Sequence, residues 1–387
     1  MKIRLAFLAL CAVLLTACGY TSAGDVPGTD YPADYDQLWQ ELEESYPYLP
    51  FLEEQGLDVA GIRAEYRAQA EAAESLADFV KVLQRMCAAM GNFAHLGVVS
   101  GDMYDLYMSA DMEEMEYLAP WRETLSAPKT AACYEALEGM WNEPSAVEDW
   151  PEVDTRWFAD CKTAYFHFYT FNHNLIDRDR DVVTGFLTEH PDAENIIFDI
   201  TGNPGGSTYY MEEVILAPFG GAYEWTGEQY LRSSALTRRY YFDSGGYDIQ
   251  SVSDDGPDFA KDGGLTHSIS ETDEYDFGAE SVSDARRWVL IDERVYSSSE
   301  RFAIICKQTG WATLVGARTG GDGMGTDPVI VTLDSTGLAV RFSALAGVNP
   351  DGTPNAAYGT APDFLPDAKT RESALSACLR LIRKENE

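Results

Sequence analysis

Residues Val289 to Gly321 read VLIDERVYSSSERFAIICKQTGWATLVGARTGG. Three elements are legible in and around this stretch. Trp288 to Asp292 is a short apolar run of the kind that forms a buried strand. Glu300 to Gln308 carries helix-forming residues and stops at Gly310, a residue suited to the left-handed turn that ends a helix. Ala312 to Gly316 is apolar again and reads as a second strand. Strand, helix and strand in close succession form the unit from which a parallel sheet with covering helices is built. Between the first strand and the helix stands Tyr296-Ser297-Ser298-Ser299-Glu300. A serine at such a junction sits beside the free backbone N–H groups of a helix start, which can stabilise an oxyanion. The spacing Ser297-x-x-Glu300 also describes a helix capping box, in which both side chains satisfy backbone donors instead. The five residues alone leave both readings open.

The same alternation extends upstream. Thr163 to Phe171 is aromatic and strand-like, Asp177 to His190 helical, Asn195 to Ile200 a short apolar run, and Tyr209 to Leu216 helical. The expected fold class is therefore α/β, with the core over 161–387. A segment at about 221–281, rich in Tyr, Gly, Ser and Asp, reads as a β-rich insertion or extended loop. Its aromatics Tyr223, Trp225, Tyr230, Tyr240 and Tyr241 are either core residues or the lining of a cleft. After the Asn195 run comes Thr201-Gly-Asn-Pro-Gly-Gly. Adjacent glycines there let the backbone approach a ligand and turn N–H groups toward it, although such turns also occur with no ligand. Ahead of the core, 35–100 reads as a helical subdomain. In it Phe79, Val82, Leu83, Met86, Cys87 and Met90 recur at helical spacing and Gly91 follows as a stop. Residues 101–160 read as an irregular or helical connector, with a short helix over Tyr134 to Trp141.

The N-terminus has basic Lys2 and Arg4, an apolar run from Leu5 to Leu15, and Leu15-Thr16-Ala17-Cys18. The run is shorter than the roughly 20 residues needed to span a bilayer. The pattern resembles a bacterial lipobox. That implies a signal peptide over 1–17, cleavage before Cys18, a lipid on the Cys18 thiol and an extracytoplasmic, membrane-anchored product. Residues 18–34, rich in Gly, Thr, Ser, Pro and Asp, read as a tether. The chain has 387 residues and a formal charge of -36, which repels nucleic acid and anionic lipid headgroups and argues against both as partners. Once Cys11 and Cys18 are set aside, Cys87, Cys133, Cys161, Cys306 and Cys378 remain, an odd number without zinc spacing. Cys87 and Cys306 fall on apolar helical faces, and Cys133 with Cys161 is the pair to test for a bridge.

Taken together, the motifs carry a resemblance. NIIFDITGNPGGS, Asn195 to Ser207, resembles the D-x-R-x-N-x-G-G-x segment of the tail-specific, or C-terminal processing, serine peptidases, with Thr201 in the place of the arginine. Val289 to Gly321 resembles that family's nucleophile region and its V-G-x-x-T-x-G turn. Tyr358 to Asp363 resembles its closing G-x-x-P-D. The resemblance implies a crotonase-like core, a peptide or protein substrate, and chemistry that calls for no metal or organic cofactor. It maps the nucleophile to Ser297 and the oxyanion donors to the amides of Gly205, Gly206 and Ser298.

The base divides the family. One branch uses a lysine in the turn after V-G-x-x-T, and here that turn carries Asp322, whose ordinary pKa of about 3.9 makes it no substitute. The branch resembling the tricorn core and the interphotoreceptor retinoid-binding protein domains takes a histidine from the helical N-terminal region. Met90-Gly91-Asn92-Phe93-Ala94-His95 resembles that segment, with one extra residue before His95 and Leu96 in place of a small hydroxyl residue. Imidazole titrates near neutrality and suits the role. The glutamate that this branch carries before G-x-x-P-D is missing from Asn355-Ala356-Ala357-Tyr358, so Asp322 or Glu300 is left as the possible supporting acid. Two functions follow as expectations. One is a serine peptidase working through Ser297 and His95. The other is a catalytically impaired lipoprotein of the same fold that binds peptides or other ligands. Substrate preference and oligomeric state are not legible.

Overall fold

The computed structural model describes residues 29–109, 119–141, 150–243, 246–253, 255–325 and 327–385. The signal peptide and Cys18 lie outside them. The centre of the molecule is a five-stranded sheet of order β2-β3-β4-β8-β9, formed by Asp154–Phe158 (β2), Thr163–His167 (β3), Asn195–Asp199 (β4), Arg286–Ile291 (β8) and Thr313–Gly316 (β9). Strands β3, β4, β8 and β9 run parallel, and β2 joins the edge antiparallel. The expected α/β class is borne out.

Side-chain alternation explains why this sheet is covered on both faces. Along β4, Ile196 and Phe198 point into one core and Ile197 into another. Along β8, Val289 and Ile291 share the first core, while Trp288 and Leu290 share the second. Helices Ile176–Glu189 and Ser298–Thr309 cover the first face through Val183, Leu187, Phe302, Ala303 and Ile305. Helix Ala374–Glu385, which the sequence reading did not anticipate, covers the second through Ala377, Cys378, Leu379 and Ile382. A parallel strand flanked by helices on both sides is shut off from water on both faces, and all five residues of β4 are buried, the apolar Ile196, Ile197 and Phe198 at its centre.

The segment over 221–281 is a β-rich unit. Ala222–Leu231 (β5) and His267–Asp276 (β7) pair antiparallel over ten residues each, with Ile249–Ser251 (β6) and Ala346–Val348 (β12) at the edges. Its aromatics belong chiefly to the core. Trp225, Tyr240 and Tyr241 are fully buried, and the Tyr240 hydroxyl donates to the Ile330 carbonyl. The cleft reading of these three is overturned, because Trp225 is shut into the core of the central sheet and Tyr240 and Tyr241 into that of the helical region. Arg301, one residue past Glu300, ties the unit to the central layer. Its guanidinium donates to Asp273 at 2.6 Å, to the Gly323 and Gly325 carbonyls, and lies 4.2 Å over the Trp225 ring.

The N-terminal region is four helices, Tyr31–Ser45, Leu49–Glu54, Val59–Glu71 and Leu76–Ala89. The first begins inside the stretch read as tether. Asp30 caps it by accepting from the Ala33 N–H, and buried Asp34 accepts from the Ser335 and Thr336 amides. Those anchors give polar residues an ordered role that composition does not reveal. The connector read as irregular or helical holds helices Gly101–Met108, Ala119–Leu125 and Pro128–Trp141. A small sheet, Gly97–Val98 (β1), Ala339–Phe342 (β11) and Val329–Thr332 (β10), joins the helical region to the core. Cys133 and Cys161 are both unpaired and lie in different cores, so this pair forms no bridge. No helix among the described residues is long and apolar enough to cross a membrane.

Candidate active site

Chain connectivity puts three segments at one end of the central sheet. In parallel strands all C-terminal ends lie on the same side, so the loops that leave β4, β8 and β9 converge there. The loop after β4 carries Gly205 and Gly206, that after β8 carries Tyr296 and Ser297, and that after β9 carries Asp322. Strands β4 and β8 are direct neighbours, and the first two loops are in van der Waals contact. A Cβ added to Gly205 would lie 2.6 Å from the Tyr296 carbonyl oxygen and 2.9 Å from Ser297 Cβ. Only glycine fits there.

Ser297 has φ 59° and ψ -126°, a conformation that costs a residue with a Cβ on the order of 1–3 kcal/mol and persists only where its surroundings enforce it. Several contacts do so. The Ser297 N–H donates to the Gly321 carbonyl. The Ser299 hydroxyl bridges the Asn203 and Tyr296 carbonyls at 2.8 Å each and accepts from the Tyr296 N–H. The capping-box reading of Ser297 does not hold, since its hydroxyl caps nothing. Ser297 Oγ lies instead 3.1 Å from His95 Nε2.

His95 reaches this point from the far N-terminal region. Asn92, Ala94 and His95 all have positive φ, so the chain turns sharply after the helix Leu76–Ala89. The turn is then clamped to the small sheet, where the Ser343 N–H donates to the Ala94 carbonyl at 2.8 Å and Gly97 pairs with Arg341. The other ring nitrogen, Nδ1, is 2.6 Å from Asp322 Oδ2. Both side chains are shielded, with 13% and 5% exposure. A carboxylate at Nδ1 draws the imidazole proton to that nitrogen and leaves Nε2 free to accept from the serine hydroxyl. Of the other histidines, His167 contacts the Thr201 carbonyl, His190 stacks on Trp157, and His267 contacts Thr266.

The two acids named from sequence therefore differ in placement. Asp322 stands beside His95. Glu300 is fully buried and bonded elsewhere, its Oε1 accepting from Asn355 Nδ2 at 2.8 Å and from the Thr360 hydroxyl at 2.7 Å. Asn355 is the hub of this group. Its side-chain oxygen Oδ1 accepts from the Gly323 N–H, one residue past Asp322. Glu300 thus contributes to holding the loop that presents Asp322.

Burial pushes the Glu300 carboxyl up to about 7, opposed by the hydrogen bonds from Thr319, Asn355 and Thr360. The folded protein then binds this proton more tightly than the unfolded chain. The contribution is complete below about pH 4.5, shrinks as pH rises, and is lost above about 7. Thermal denaturation of wild type and Glu300→Gln between pH 5 and 8 tests this. The variant is expected to gain on wild type as the pH rises, by on the order of 2–3 kcal/mol across the window. A pH-independent difference would show that the proton is not held.

The Gly-rich loop departs from expectation at one position. The Gly205 N–H donates to Asn203 Oδ1 at 2.9 Å, because an Asn side chain readily bonds the backbone two residues on. That amide is occupied within the loop. Gly206 forms a parallel bridge with Phe171 in which the Phe171 N–H bonds the Gly205 carbonyl and the Ser207 N–H bonds the Phe171 carbonyl. In such a bridge the neighbours make the bonds, and the central residue's own N–H faces the opposite side. Ser298 is the first residue of the helix Ser298–Thr309, where backbone N–H groups have no intrahelical acceptor.

Sequence reasoning missed Tyr296 and Ser343. The Tyr296 hydroxyl donates to Asp322 Oδ2 at 2.9 Å and accepts from the His95 N–H at 3.2 Å, and the Ser343 hydroxyl donates to the same Oδ2 at 3.2 Å. Tyr296 was legible as a neighbour of Ser297. Ser343 carries no local signal, since it meets His95 across 248 positions of sequence.

Comparison with known proteins adds the lineage. No curated protein matches the chain. Among solved structures, a protein assigned as a peptidase from Parabacteroides merdae is similar at 16% identity and TM-score 0.55, covering 91% of this chain and 97% of its own. Mature CPAF, solved in complex with lactacystin, is similar at 12% identity and TM-score 0.52, covering 92% and 97%. The photosystem II D1 C-terminal processing protease is similar at 15% identity and TM-score 0.44, covering 92% and 97%. At these identities the first two speak for a shared fold. The model of the tricorn protease C1 domain matches residues 27–88, the helical region that precedes His95. The model of peptidase family S41 matches residues 162–365, which is more than half of the chain and includes the loops after β4, β8 and β9. The chain belongs to peptidase family S41.

Proposed function

We propose that this protein is a serine peptidase in which Ser297 attacks the peptide carbonyl, His95 takes the serine proton, and Asp322 orients the imidazole and stabilises its protonated form. The observation that carries this reading is the continuous relay from Ser297 Oγ to His95 Nε2 at 3.1 Å and from His95 Nδ1 to Asp322 at 2.6 Å. In the first step the Oγ–C bond forms as the hydroxyl proton moves to Nε2. The carbonyl oxygen, now an oxyanion, is received by the Gly206 and Ser298 amides. His95 then returns its proton to the leaving amine, the peptide C–N bond breaks, and an acyl-enzyme remains on Ser297. Water, deprotonated by the same imidazole, releases the acid product.

The reading as an impaired binding protein rested on the missing lysine and glutamate. An acid beside His95 weakens that ground, because Asp322 can do for the imidazole what a glutamate from the Asn355 region would do. Incubation of the purified protein with a defined mixture of peptides, followed by mass spectrometry, tests the assignment. Wild type is expected to cut internal peptide bonds and Ser297→Ala to leave the mixture intact. Equal product from both would assign hydrolysis to another group or to a contaminant.

We further propose that the mature chain is extracytoplasmic and tied to the membrane by lipid on Cys18. The sequence Leu15-Thr16-Ala17-Cys18 motivates this. Palmitate labelling in growing cells is expected for wild type and not for Cys18→Ala. Labelling of both would refute the anchor.

A further inference from the structure

The reading of Ser297, His95 and Asp322 leaves open what keeps the acid aligned, and the hydroxyl groups around it supply an answer. We propose that Tyr296 is a positioning residue for catalysis, its single hydroxyl locking the Asp322 carboxylate to the His95 backbone. This inference rests on the reading of the site given above.

Four observations carry it. The Tyr296 hydroxyl donates to Asp322 Oδ2 at 2.9 Å, the same oxygen that faces His95 Nδ1. It also accepts from the His95 backbone N–H at 3.2 Å. One phenol therefore touches both partners of the pair, and it does so from the residue next to Ser297. Its ring lies against the imidazole, with centroids 4.9 Å apart. The backbone on either side is fixed, since the Tyr296 N–H bonds to Ser299 Oγ and Tyr296 forms a bridge with Gly321, the residue before Asp322.

The need for such a lock follows from the backbone. Both partners sit in conformations that favour glycine, His95 at φ 60° and Asp322 at φ 61°. His95 ends a distorted 3₁₀ turn, Phe93–His95, and Asp322 lies on a loop, so the 2.6 Å contact between them depends on groups outside those two segments. Tyr296 is such a group, carried on the segment between β8 and the helix Ser298–Thr309. Ser343 is a second, reaching the same oxygen from the end of β11 at 3.2 Å. Three donors converge on one oxygen of Asp322, which fixes the orientation of the carboxylate as well as its distance. Burial, and after it the Asp322 carboxylate, pushes the Tyr296 phenol well above its ordinary range, so the hydroxyl remains a donor at any working pH.

The test is a kinetic cycle with Tyr296→Phe, Asp322→Ala and the double variant, on a peptide that wild type cleaves, with Ser297→Ala as control. Tyr296→Phe is expected to lower kcat by about 10–100-fold, the range of one hydrogen bond to a charged group, with KM within about twofold of wild type. In the Asp322→Ala background the same change is expected to cost less than about threefold, because the carboxylate it aligns is gone. Ser343→Ala is expected to lower kcat by less than Tyr296→Phe, and melting temperatures report whether each variant is folded. A Tyr296→Phe enzyme with wild-type kcat overturns the inference. So does a full loss that repeats in the Asp322→Ala background, which would mean that the hydroxyl acts elsewhere. If Ser297→Ala hydrolyses the peptide as wild type does, the underlying reading of the site fails and takes this inference with it. A dead Ser297→Ala beside an unimpaired Tyr296→Phe sinks this inference alone.

Discussion

Ser297→Ala and His95→Ala are each expected to lower kcat by roughly 10⁵–10⁶-fold, and the double variant by no more than either alone. The reason is cooperative. An alcohol is a weak nucleophile until its proton has a destination, and an imidazole has no proton to take once the alcohol is gone, so removing either member disables the same step. The 3.1 Å contact between Ser297 Oγ and His95 Nε2 requires this non-additivity. A residual rate above the uncatalysed one is expected in all three variants, because backbone amides that receive the oxyanion do not depend on either side chain. The measurement is kcat on one peptide for the four proteins. Losses that multiply in the double variant would mean that the two residues act in separate steps.

The second large effect concerns Asp322. Asp322→Ala is expected to reduce kcat by about 10⁴-fold, the scale on which loss of an orienting acid is felt in a serine-histidine system. Asp322→Asn is expected to lose less. With His95, Tyr296 and Ser343 all donating toward Oδ2, the amide would be drawn to place its oxygen there and its NH₂ outward. The imidazole then keeps the useful tautomer and loses only the nearby charge. Equal losses for Asn and Ala would show that charge alone matters and that the converging donors do not select the orientation. Glu300→Gln, which changes a carboxyl bonded to Asn355 and Thr360, is expected to keep kcat within about tenfold of wild type, because a neutral amide preserves the Oε1 acceptor.

Much of this was readable from the chain, and the reason is that strands and helices are local. The apolar runs at Asn195 and Trp288 and the helix stopped by Gly310 are short-range patterns, and each recurs in the structure as β4, β8 and the helix Ser298–Thr309. Gly205 was also legible, though its purpose was not. Sequence suggested an amide turned to a ligand, whereas the position requires glycine because Ser297 packs on it and its N–H is held by Asn203. What could not be read were contacts that close between distant segments. Asp322 appears in sequence as a defect, an acid in the place of a lysine. Only the turn at His95, clamped by Ser343 and Tyr296, brings an imidazole to it. The tether boundary failed for a similar reason, since Asp34 looks solvated until the Ser335 and Thr336 amides meet it.

The proposed mechanism makes Ser297 the one hydroxyl that an activated phosphorus electrophile should find. Incubation with a fluorophosphonate probe, followed by digestion and mass spectrometry, reads this directly. The account predicts a single adduct on the peptide that contains Ser297, abolished in Ser297→Ala and slowed by orders of magnitude in His95→Ala. A folded wild-type protein that takes up no probe, or an adduct that persists in Ser297→Ala, would contradict it.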